Sequence, residues 1–382
     1  MPAKTRAPYR PFQYLEAGTD YREFTLAKEL ERVPSKPFPL DPEQEKRLQR
    51  ILATAPLVSS HDHCIVMPDD IGQIHEYARE RRTWMGYAGL AAAGVDVVLE
   101  AFLDGMGGWR WDDVLFDLGM RYSDIAHQDF VYRAETCADL ERAKSSGRCA
   151  LVSSLECATM IEDDVDRIDV LYGFGVRVIG VTYSESNALG SGLREERDGG
   201  LTDLGRAAVR RMNKVGMTVD VSHCGDQTSL DTIEASDRPI LITHAGARGL
   251  WKTKRMKPDE VLKACAAKGG VIGIEAAPHT TLTEKHPLHS LESVMEHVAY
   301  CVELMGIDHV GLHKAFAAAL SISRIQQGVK YTPVPYVDGM ESPAEAMPNA
   351  ARWLVAHGYK DGDIAKILGR NVLRVLKETW AR

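Results

Sequence analysis

Long apolar runs, an excess of positive charge and paired cysteines are all lacking in this 382-residue sequence. No stretch approaches the roughly 20 apolar residues that a membrane-spanning helix needs, so we expect no membrane partner. The formal net charge of −8 implies no basic face. Because nucleic-acid binding depends on such a face, the charge argues against a nucleic-acid partner and favours a small-molecule substrate.

Cysteine usage and the N-terminus both indicate a reducing compartment. The seven cysteines are odd in number and show no CxxC spacing, which fits reduced thiols better than a disulfide framework. The positively charged residues 1–10 are followed by a segment, 11–16, that lacks the apolar core of a signal peptide. We therefore expect a cytoplasmic protein.

The sequence also lacks a phosphate-binding loop, an HExxH zinc motif and a nucleophile elbow.

An alternation of strand-like and helix-like segments is the main pattern that the sequence does contain. The strand candidates are residues 56–61, 96–102, 149–156, 176–183, 217–223, 239–244, 270–275 and 309–312. Amphipathic segments lie between them; one begins at Thr202 as N-cap and ends at Gly216. About eight strands, each followed by a helix, predict a (β/α)8 TIM barrel. We expect residues 1–40 to form an N-terminal arm and residues 41–382 a single barrel domain with C-terminal helices.

The first strand candidate ends in two histidines, His61 and His63. Alternate residues of a strand point the same way, so both imidazoles would project from its carboxyl end. Imidazole is a common ligand of zinc, but an isolated HxH is about as often a surface or hydrogen-bonded pair. The choice depends on whether later strands end in further ligands.

Three later strand candidates do end in such residues, namely Glu156, His223 and His244. The chemistry of a barrel of this kind lies at the carboxyl ends of its strands, where these side chains would meet His61 and His63. The five residues could hold two divalent metal ions, with Glu156 bridging them. A bridging hydroxide and a polarised carbonyl would then make hydrolysis the expected reaction. Any single buried histidine is more often a hydrogen-bonded core residue, but four at strand ends favour the metal interpretation.

Several longer motifs make the sequence resemble the membrane dipeptidase family, also called renal dipeptidase-like or peptidase family M19, of the amidohydrolase superfamily. They are GVRVIGVTY at 175–183, GLTDLGR at 200–206, MNKVGM at 212–217, DVSH at 220–223, THAGAR at 243–248, GGVIG at 269–273 and ILGRNVLR at 367–374. The resemblance extends from about Leu57 to Leu376. It implies a (β/α)8 barrel with a two-zinc site that cleaves dipeptides, and it suggests a homodimer.

The resemblance also implies roles for individual residues. By position, His61 and His63 would bind the first ion, Glu156 would bridge, and His223 and His244 would bind the second. Arg255, eleven residues after His244, matches the family arginine that holds the substrate carboxylate by a bidentate contact. Without the resemblance, the cationic run around Arg255 would be interpreted as a solvated loop.

The sequence departs from the family at three positions. His63 stands where the family usually has aspartate, and metal binding should survive that exchange. Tyr183 stands where the family usually has a histidine that contacts the reacting carbonyl; its phenol either donates a hydrogen bond to the oxyanion or only packs at the barrel rim. Ala315 stands in register with the family aspartate that handles the proton of the attacking water. Either that aspartate is lost, or a segment is missing from the sequence between Val310 and Gly311. We favour the missing segment, because a shortened strand would leave backbone N–H and C=O groups of the sheet unpaired.

These observations predict a metal-dependent hydrolase that cleaves the amide bond of dipeptides or related small acyl-amino acids, with Tyr183 as a catalytic candidate. Another amidohydrolase reaction, such as cleavage of a lactone or a xenobiotic amide, is the alternative that the Tyr183 exchange favours. A catalytically silent metal-binding scaffold is the alternative that Ala315 favours.

Overall fold

The computed structural model describes residues 9–102, 110–277, 280–313 and 337–380. Eight parallel strands form a barrel at the centre of the protein. A ninth strand, β3, pairs only with β4 on the outside of this path. The strands are β1 (Val58–Asp62), β2 (Val97–Phe102), β3 (Val131–Arg133), β4 (Cys149–Leu155), β5 (Val176–Gly180), β6 (Thr218–Asp220), β7 (Leu241–Ala245), β8 (Val271–Glu275) and β9 (Val310–His313).

Helices cover the outside of the strands and follow them in the chain. They are α1 (Pro42–Thr54), α2 (Ile74–Arg79), α3 (Tyr87–Ala93), α4 (Trp111–Ala126), α5 (Cys137–Ser146), α6 (Arg167–Gly173), α7 (Asp203–Val215), α8 (Asp226–Ala235), α9 (Asp259–Ala267), α10 (Leu291–Met305), α11 (Pro343–Ala356), α12 (Asp361–Ala365) and α13 (Asn371–Trp380). None of the helices in the described ranges is both long and apolar enough to cross a membrane.

The barrel is nearly closed by contact between its first and last strands. β9 lies beside β1, and the hydroxyl oxygen of Ser60 in β1 lies within hydrogen-bond distance of the carbonyl oxygens of Thr243 (2.7 Å) and Leu312 (2.9 Å). All strand pairs are parallel, and the strands are buried almost throughout. The predicted TIM-barrel class is therefore confirmed.

The predicted strand positions are correct, but the carboxyl ends of several strands differ. The strand predicted over 176–183 ends at Gly180, and the strand predicted over 217–223 ends at Asp220. Tyr183 and His223 consequently lie in the loops that follow β5 and β6. β3 was not predicted; it is three residues long and has one partner, so it leaves almost no periodic signal.

The predicted N-cap and C-terminal glycine of α7 are confirmed. The side chain of Thr202 accepts a hydrogen bond from the backbone N–H of Gly205, as an N-cap does. The helix ends at Gly216, whose φ of +86° is the left-handed conformation that glycine adopts without strain. Between these ends, Ala208, Val209 and Met212 are buried against the barrel.

The described part of the N-terminal arm is irregular up to α1. Its backbone N–H groups are bonded to side chains of α11: that of Lys36 donates to the carboxylate of Glu345 (2.9 Å), and that of Phe38 donates to Oδ1 of Asn349 (2.8 Å). The division into an arm, 1–40, and a barrel, 41–382, stays a prediction.

The last barrel strand bears on the expectation of a missing segment. Val310, Gly311, Leu312 and His313 pair in unbroken register with Ile272 to Glu275 of β8. The edge of the strand that faces β8 is thus paired along its length. The segment expected between Val310 and Gly311 stays a prediction. Ala315, the position matched to the family aspartate, lies outside the described residues.

Candidate metal centre

The structure brings together the five side chains that the sequence predicts as metal ligands. His61 belongs to β1 and His63 follows it directly. Glu156 is the first residue after β4, His223 lies in the loop after β6, and His244 belongs to β7. All five therefore stand at the carboxyl-end mouth of the barrel, because parallel strands present their carboxyl ends at one edge.

The carboxylate of Glu156 is at the centre of this cluster. Its Oε1 atom lies 3.2 Å from Nε2 of His61, 3.4 Å from that of His63, 3.4 Å from that of His244 and 3.7 Å from that of His223. The histidines form two pairs, because the Nε2 atoms of His61 and His63 are 3.3 Å apart and those of His223 and His244 are 3.0 Å apart. Each pair forms a compact three-ligand group with Glu156.

Hydrogen bonds behind His244 determine which of its nitrogens carries the proton. Thr243 Oγ1 donates to the carboxylate of Asp220 (2.7 Å) and lies 2.8 Å from Nδ1 of His244. Because Thr243 donates its hydroxyl proton to Asp220, its hydroxyl oxygen accepts a hydrogen bond from the Nδ1–H of His244. The hydroxyl of Ser222 likewise donates to Asp220 (2.6 Å) and accepts from the backbone N–H of His244. The Nε2 lone pair of His244 consequently faces Glu156, as metal ligation requires.

His223 has a hydroxyl behind it and an aromatic ring beside it. Ser184 Oγ lies 3.2 Å from its Nδ1 atom. The ring of Tyr183 stacks on its imidazole with a centroid distance of 4.3 Å and an interplanar angle of 23°. The negative charge of Glu156 and burial raise the pKa of the Tyr183 phenol, so the phenol keeps its proton at neutral pH. Tyr183 therefore lies at the cluster, although β5 ends three residues before it.

Two buried charged residues support the chain around His63. The backbone N–H of Cys64 donates to Glu100 of β2 (2.8 Å), and Arg121 of α4 donates to the same carboxylate (3.1 Å). Glu100 and Arg121 are both almost fully buried. Burial raises the pKa of Glu100 to about 7, an effect that the Arg121 charge opposes. This ion pair fixes the course of the chain immediately after the two histidines.

The pKa values indicate that the imidazoles of His61, His223 and His244 are neutral and lie around an ionised carboxylate. Burial lowers the pKa of His61 and of His244, and burial together with the charge of Arg255 lowers that of His223 to about 4. Burial opposes ionisation of Glu156, but the surrounding imidazoles outweigh it and hold its pKa well below the usual range. Neutral imidazole and ionised carboxylate are the forms that ligate a metal.

The donor set fits divalent metal ions. Four Nε2 atoms converge on one carboxylate oxygen, and at least that of His244 presents a lone pair, so the arrangement suits a cation at its centre. Glu156 Oε2 is buried and has no hydrogen-bond partner among the residues that the structure describes. Imidazole nitrogen with carboxylate oxygen is a ligand set that zinc accepts.

Arg255, the predicted substrate ligand, lies beside the cluster but is already paired. Its Nη2 atom donates to the backbone carbonyl of His244 (2.8 Å) and lies 2.8 Å from the carboxylate of Glu275 at the end of β8. The loop that carries it is anchored by Lys257, whose ammonium group donates to the carbonyl of Cys224 (2.7 Å) and whose pKa burial lowers to about 8. Glu275 was not predicted from the sequence as a site residue.

His313 is a second site residue that the sequence analysis missed. It ends β9, one residue beyond the predicted strand, and its ring centroid lies 5.4 Å from that of His61 and 5.9 Å from that of His244. The backbone N–H of Ala276 donates to its Nδ1 atom (3.4 Å). The strand-end rule that found the other histidines would have found this one had the strand been extended by one residue.

The fold is thus a (β/α)8 barrel of the metal-dependent hydrolase type, with candidate histidine and glutamate ligands at its strand ends. Solved structures with the same fold include an amidohydrolase from Pseudomonas aeruginosa, with a TM-score of 0.73 and 22% identity over 88% of this chain and 99% of that one. A metallopeptidase from Rhodobacter sphaeroides, liganded with a phosphinate mimic of the dipeptide L-Ala-D-Ala, gives 0.69 and 18% over 86% of this chain and 100% of that one. At these identities the likeness shows the fold alone.

Sequence comparison shows the family. The profile of membrane dipeptidase (peptidase family M19) matches residues 45–381, so this chain belongs to that family. The dipeptidase tcpJ of Claviceps purpurea is 29% identical over 69% of this chain, and the dipeptidase aclJ of Aspergillus oryzae is 29% identical over 66% of it. The chain spans 58% of the length of tcpJ and 59% of that of aclJ.

Proposed function

We propose that this protein is a metal-dependent hydrolase that cleaves the amide bond of dipeptides or related small acyl-amino acids. One observation carries the proposal: four imidazole Nε2 atoms surround one carboxylate oxygen of Glu156 at 3.2–3.7 Å, at the mouth of a barrel. Membership of the membrane dipeptidase family supports the choice of a peptide-like substrate.

The proposed centre holds two divalent ions, and the ligand chemistry favours Zn²⁺. His61 and His63 would bind the first ion, His223 and His244 the second, and Glu156 would bridge them. Two such ions supply, when bound, an activated water and a polarised substrate carbonyl.

The surrounding residues would position the ligands and the substrate. Thr243 and Ser184 hold the imidazoles of His244 and His223 by their Nδ1 atoms. The ring of Tyr183 stacks on His223, and its phenol would donate a hydrogen bond to the oxygen that gains charge as the amide is attacked. Arg255 would bind one end of the substrate, since its Nη1 atom is buried without a hydrogen-bond partner in the described part of the chain.

A substrate panel on the zinc-loaded protein tests the function. The panel contains dipeptides in both configurations of each residue, their C-terminal amides, N-acyl amino acids and lactones. We expect release of an amino acid or amino-acid amide from peptide-like compounds, and loss of turnover in Glu156→Gln. His357→Ala is the matched control, because His357 packs on Trp353, away from the barrel mouth.

The alternatives give different outcomes in the same panel. Turnover of lactones without turnover of any peptide-like compound would replace the proposed reaction with another amidohydrolase reaction. No turnover at full zinc loading would identify a silent metal-binding scaffold.

Two expectations from the sequence stay predictions. A homodimer is tested by the molar mass from light scattering during size-exclusion chromatography. A cytoplasmic location is tested by fractionation of the cells that make the protein.

A further inference from the structure

The predicted carboxylate anchor, Arg255, is neutralised inside the protein. Glu275 ends β8, and its carboxylate lies 2.8 Å from the Arg255 guanidinium; the side chains are only 7% and 18% exposed. This contact pairs the cation with an anion of the same chain. Buried pairs of this kind are held firmly, because separating them leaves each charge uncompensated in a medium of low polarity.

Glu275 faces the same barrel mouth as the ligand cluster. A Cβ atom added at Gly273, two residues earlier on β8, would meet the side chain of Ser60 and the carbonyl of Thr243 inside the barrel. Alternate residues of a strand share a face, so Glu275 also points inward, one layer nearer the carboxyl-end mouth. Its neighbour in register on β9 is His313, whose ring contacts that of His61. The Arg255–Glu275 pair therefore borders the space in which a substrate would lie.

The pair presents a donor and an acceptor side by side, with no net charge. A free carboxylate bound to Arg255 would place two anions on one guanidinium, and like charges at close range disfavour that arrangement most where water is excluded. A primary carboxamide fits without this cost. Its oxygen accepts from Nη1 of Arg255, which is buried without a partner within the described ranges, and its N–H₂ group donates to Glu275.

We infer that Glu275 determines the specificity of this subsite, so that the Arg255–Glu275 pair accepts substrates ending in an uncharged carboxamide in preference to a free carboxylate. The inference rests on the proposed hydrolase function and specifies its substrate class. This specificity differs from the role that the family resemblance implies for Arg255, which is to bind the free carboxylate of the substrate. In this structure Glu275, which was not predicted as a site residue, already supplies a carboxylate to Arg255.

The test compares matched substrates that differ only at the carboxyl end. Alanyl-alanine, with either configuration of the second residue, is assayed as the free acid and as the C-terminal amide on the zinc-loaded protein. We expect the amide to have the higher kcat/KM in the wild type, with the difference mainly in KM. Glu275→Gln keeps the size of the side chain and frees the Arg255 charge, so it should shift the ratio at least tenfold towards the acid.

Glu341→Gln is the matched control, because Glu341 is also a buried glutamate paired with an arginine, Arg32, and this pair links the arm to the segment before α11. It should leave the acid-to-amide ratio unchanged. Zinc content and thermal unfolding of each variant show whether the centre and the fold are intact.

The wild-type ratio tests the inference even if Glu275→Gln does not fold. A wild-type preference for the acid would overturn it, and so would a ratio that Glu275→Gln leaves unchanged. If neither these compounds nor any other peptide-like member of the panel is hydrolysed, the proposed function fails. Calorimetric binding of the same two compounds to the zinc-loaded protein then decides the inference, which predicts tighter binding of the amide.

Discussion

The hydroxyl of Thr243 lies 2.8 Å from Nδ1 of His244 and donates its own proton to Asp220. This short chain of hydrogen bonds connects a carboxylate in β6 to a metal-ligand candidate in β7. It sets both the tautomer and the orientation of the imidazole, so the metal affinity of the proposed centre would depend on a residue that is not itself one of the proposed ligands.

Thr243→Val keeps the shape of the side chain and removes the hydroxyl. We expect the zinc dissociation constant to rise about 10- to 100-fold, because the imidazole of His244 loses the acceptor that holds it. Competition with a chromophoric chelator measures the constant. Thr243→Ser retains the hydroxyl and should bind zinc nearly as the wild type does; equal affinity in Thr243→Val would show that the hydrogen bond does not position His244.

Tyr183→Phe separates the two interpretations of Tyr183. The phenyl ring can still stack on His223, so zinc content should not change. If the phenol stabilises the developing oxyanion, kcat should fall about 100-fold with little change in KM. Steady-state kinetics on the best substrate of the panel measures both. An unchanged kcat would mean that Tyr183 only packs at the rim.

Arg121→Met tests the buried ion pair behind His63. Without Arg121, the Glu100 carboxylate remains buried with no compensating cation, which should lower the free energy of unfolding by about 3–5 kcal/mol. The loss should be smaller at pH 6 than at pH 8, because Glu100 has a raised pKa and is protonated more readily at pH 6. Urea unfolding at both pH values measures it.

The control for this prediction is Arg81→Met, since Arg81 forms an exposed ion pair with Asp113. Its effect should stay within about 1 kcal/mol. Equal effects of the two substitutions would show that the Glu100–Arg121 pair contributes no more than a surface pair.

Glu29 makes the stability of the arm contact dependent on pH. Its carboxylate accepts a hydrogen bond from the N–H of Gly89 in α3 (2.6 Å), and burial raises its pKa from 4.5 to about 7. A carboxyl group whose pKa is raised on folding favours the folded state at low pH, and this contribution is lost as pH rises through about 7. The thermal midpoint of the wild type should therefore fall more between pH 5 and pH 8 than that of Glu29→Gln. Glu23→Gln, at an exposed position, should behave as the wild type.

Strand-end positions explain why so much of the candidate centre could be predicted from the sequence. A short apolar run ending in His61 or His244 carries both a strand signal and a ligand, and the barrel topology then requires that these ends meet. His313 was missed because β9 was predicted to end at Leu312. The hydrogen bond between the Thr243 hydroxyl and Nδ1 of His244 was not predicted either, because it depends on side-chain orientation, which a strand pattern does not specify.

The Arg255–Glu275 pair shows the limit of the sequence analysis more clearly. Arg255 lies in a loop after β7 and Glu275 at the end of β8, so their contact depends on how that loop folds over the barrel mouth. A linear pattern contains no signal for it. Glu275 was correctly predicted as the last residue of a strand, yet its charge was not connected to Arg255.

The metal content of the protein tests the central claim most directly. Elemental analysis of protein purified without chelators should give about two equivalents of divalent metal per chain in the wild type and in His357→Ala, and fewer in His223→Ala. This result would establish the two-ion centre around Glu156. Near-zero metal in all three proteins, also after incubation with zinc and dialysis, would contradict it and identify the strand-end histidines as structural residues.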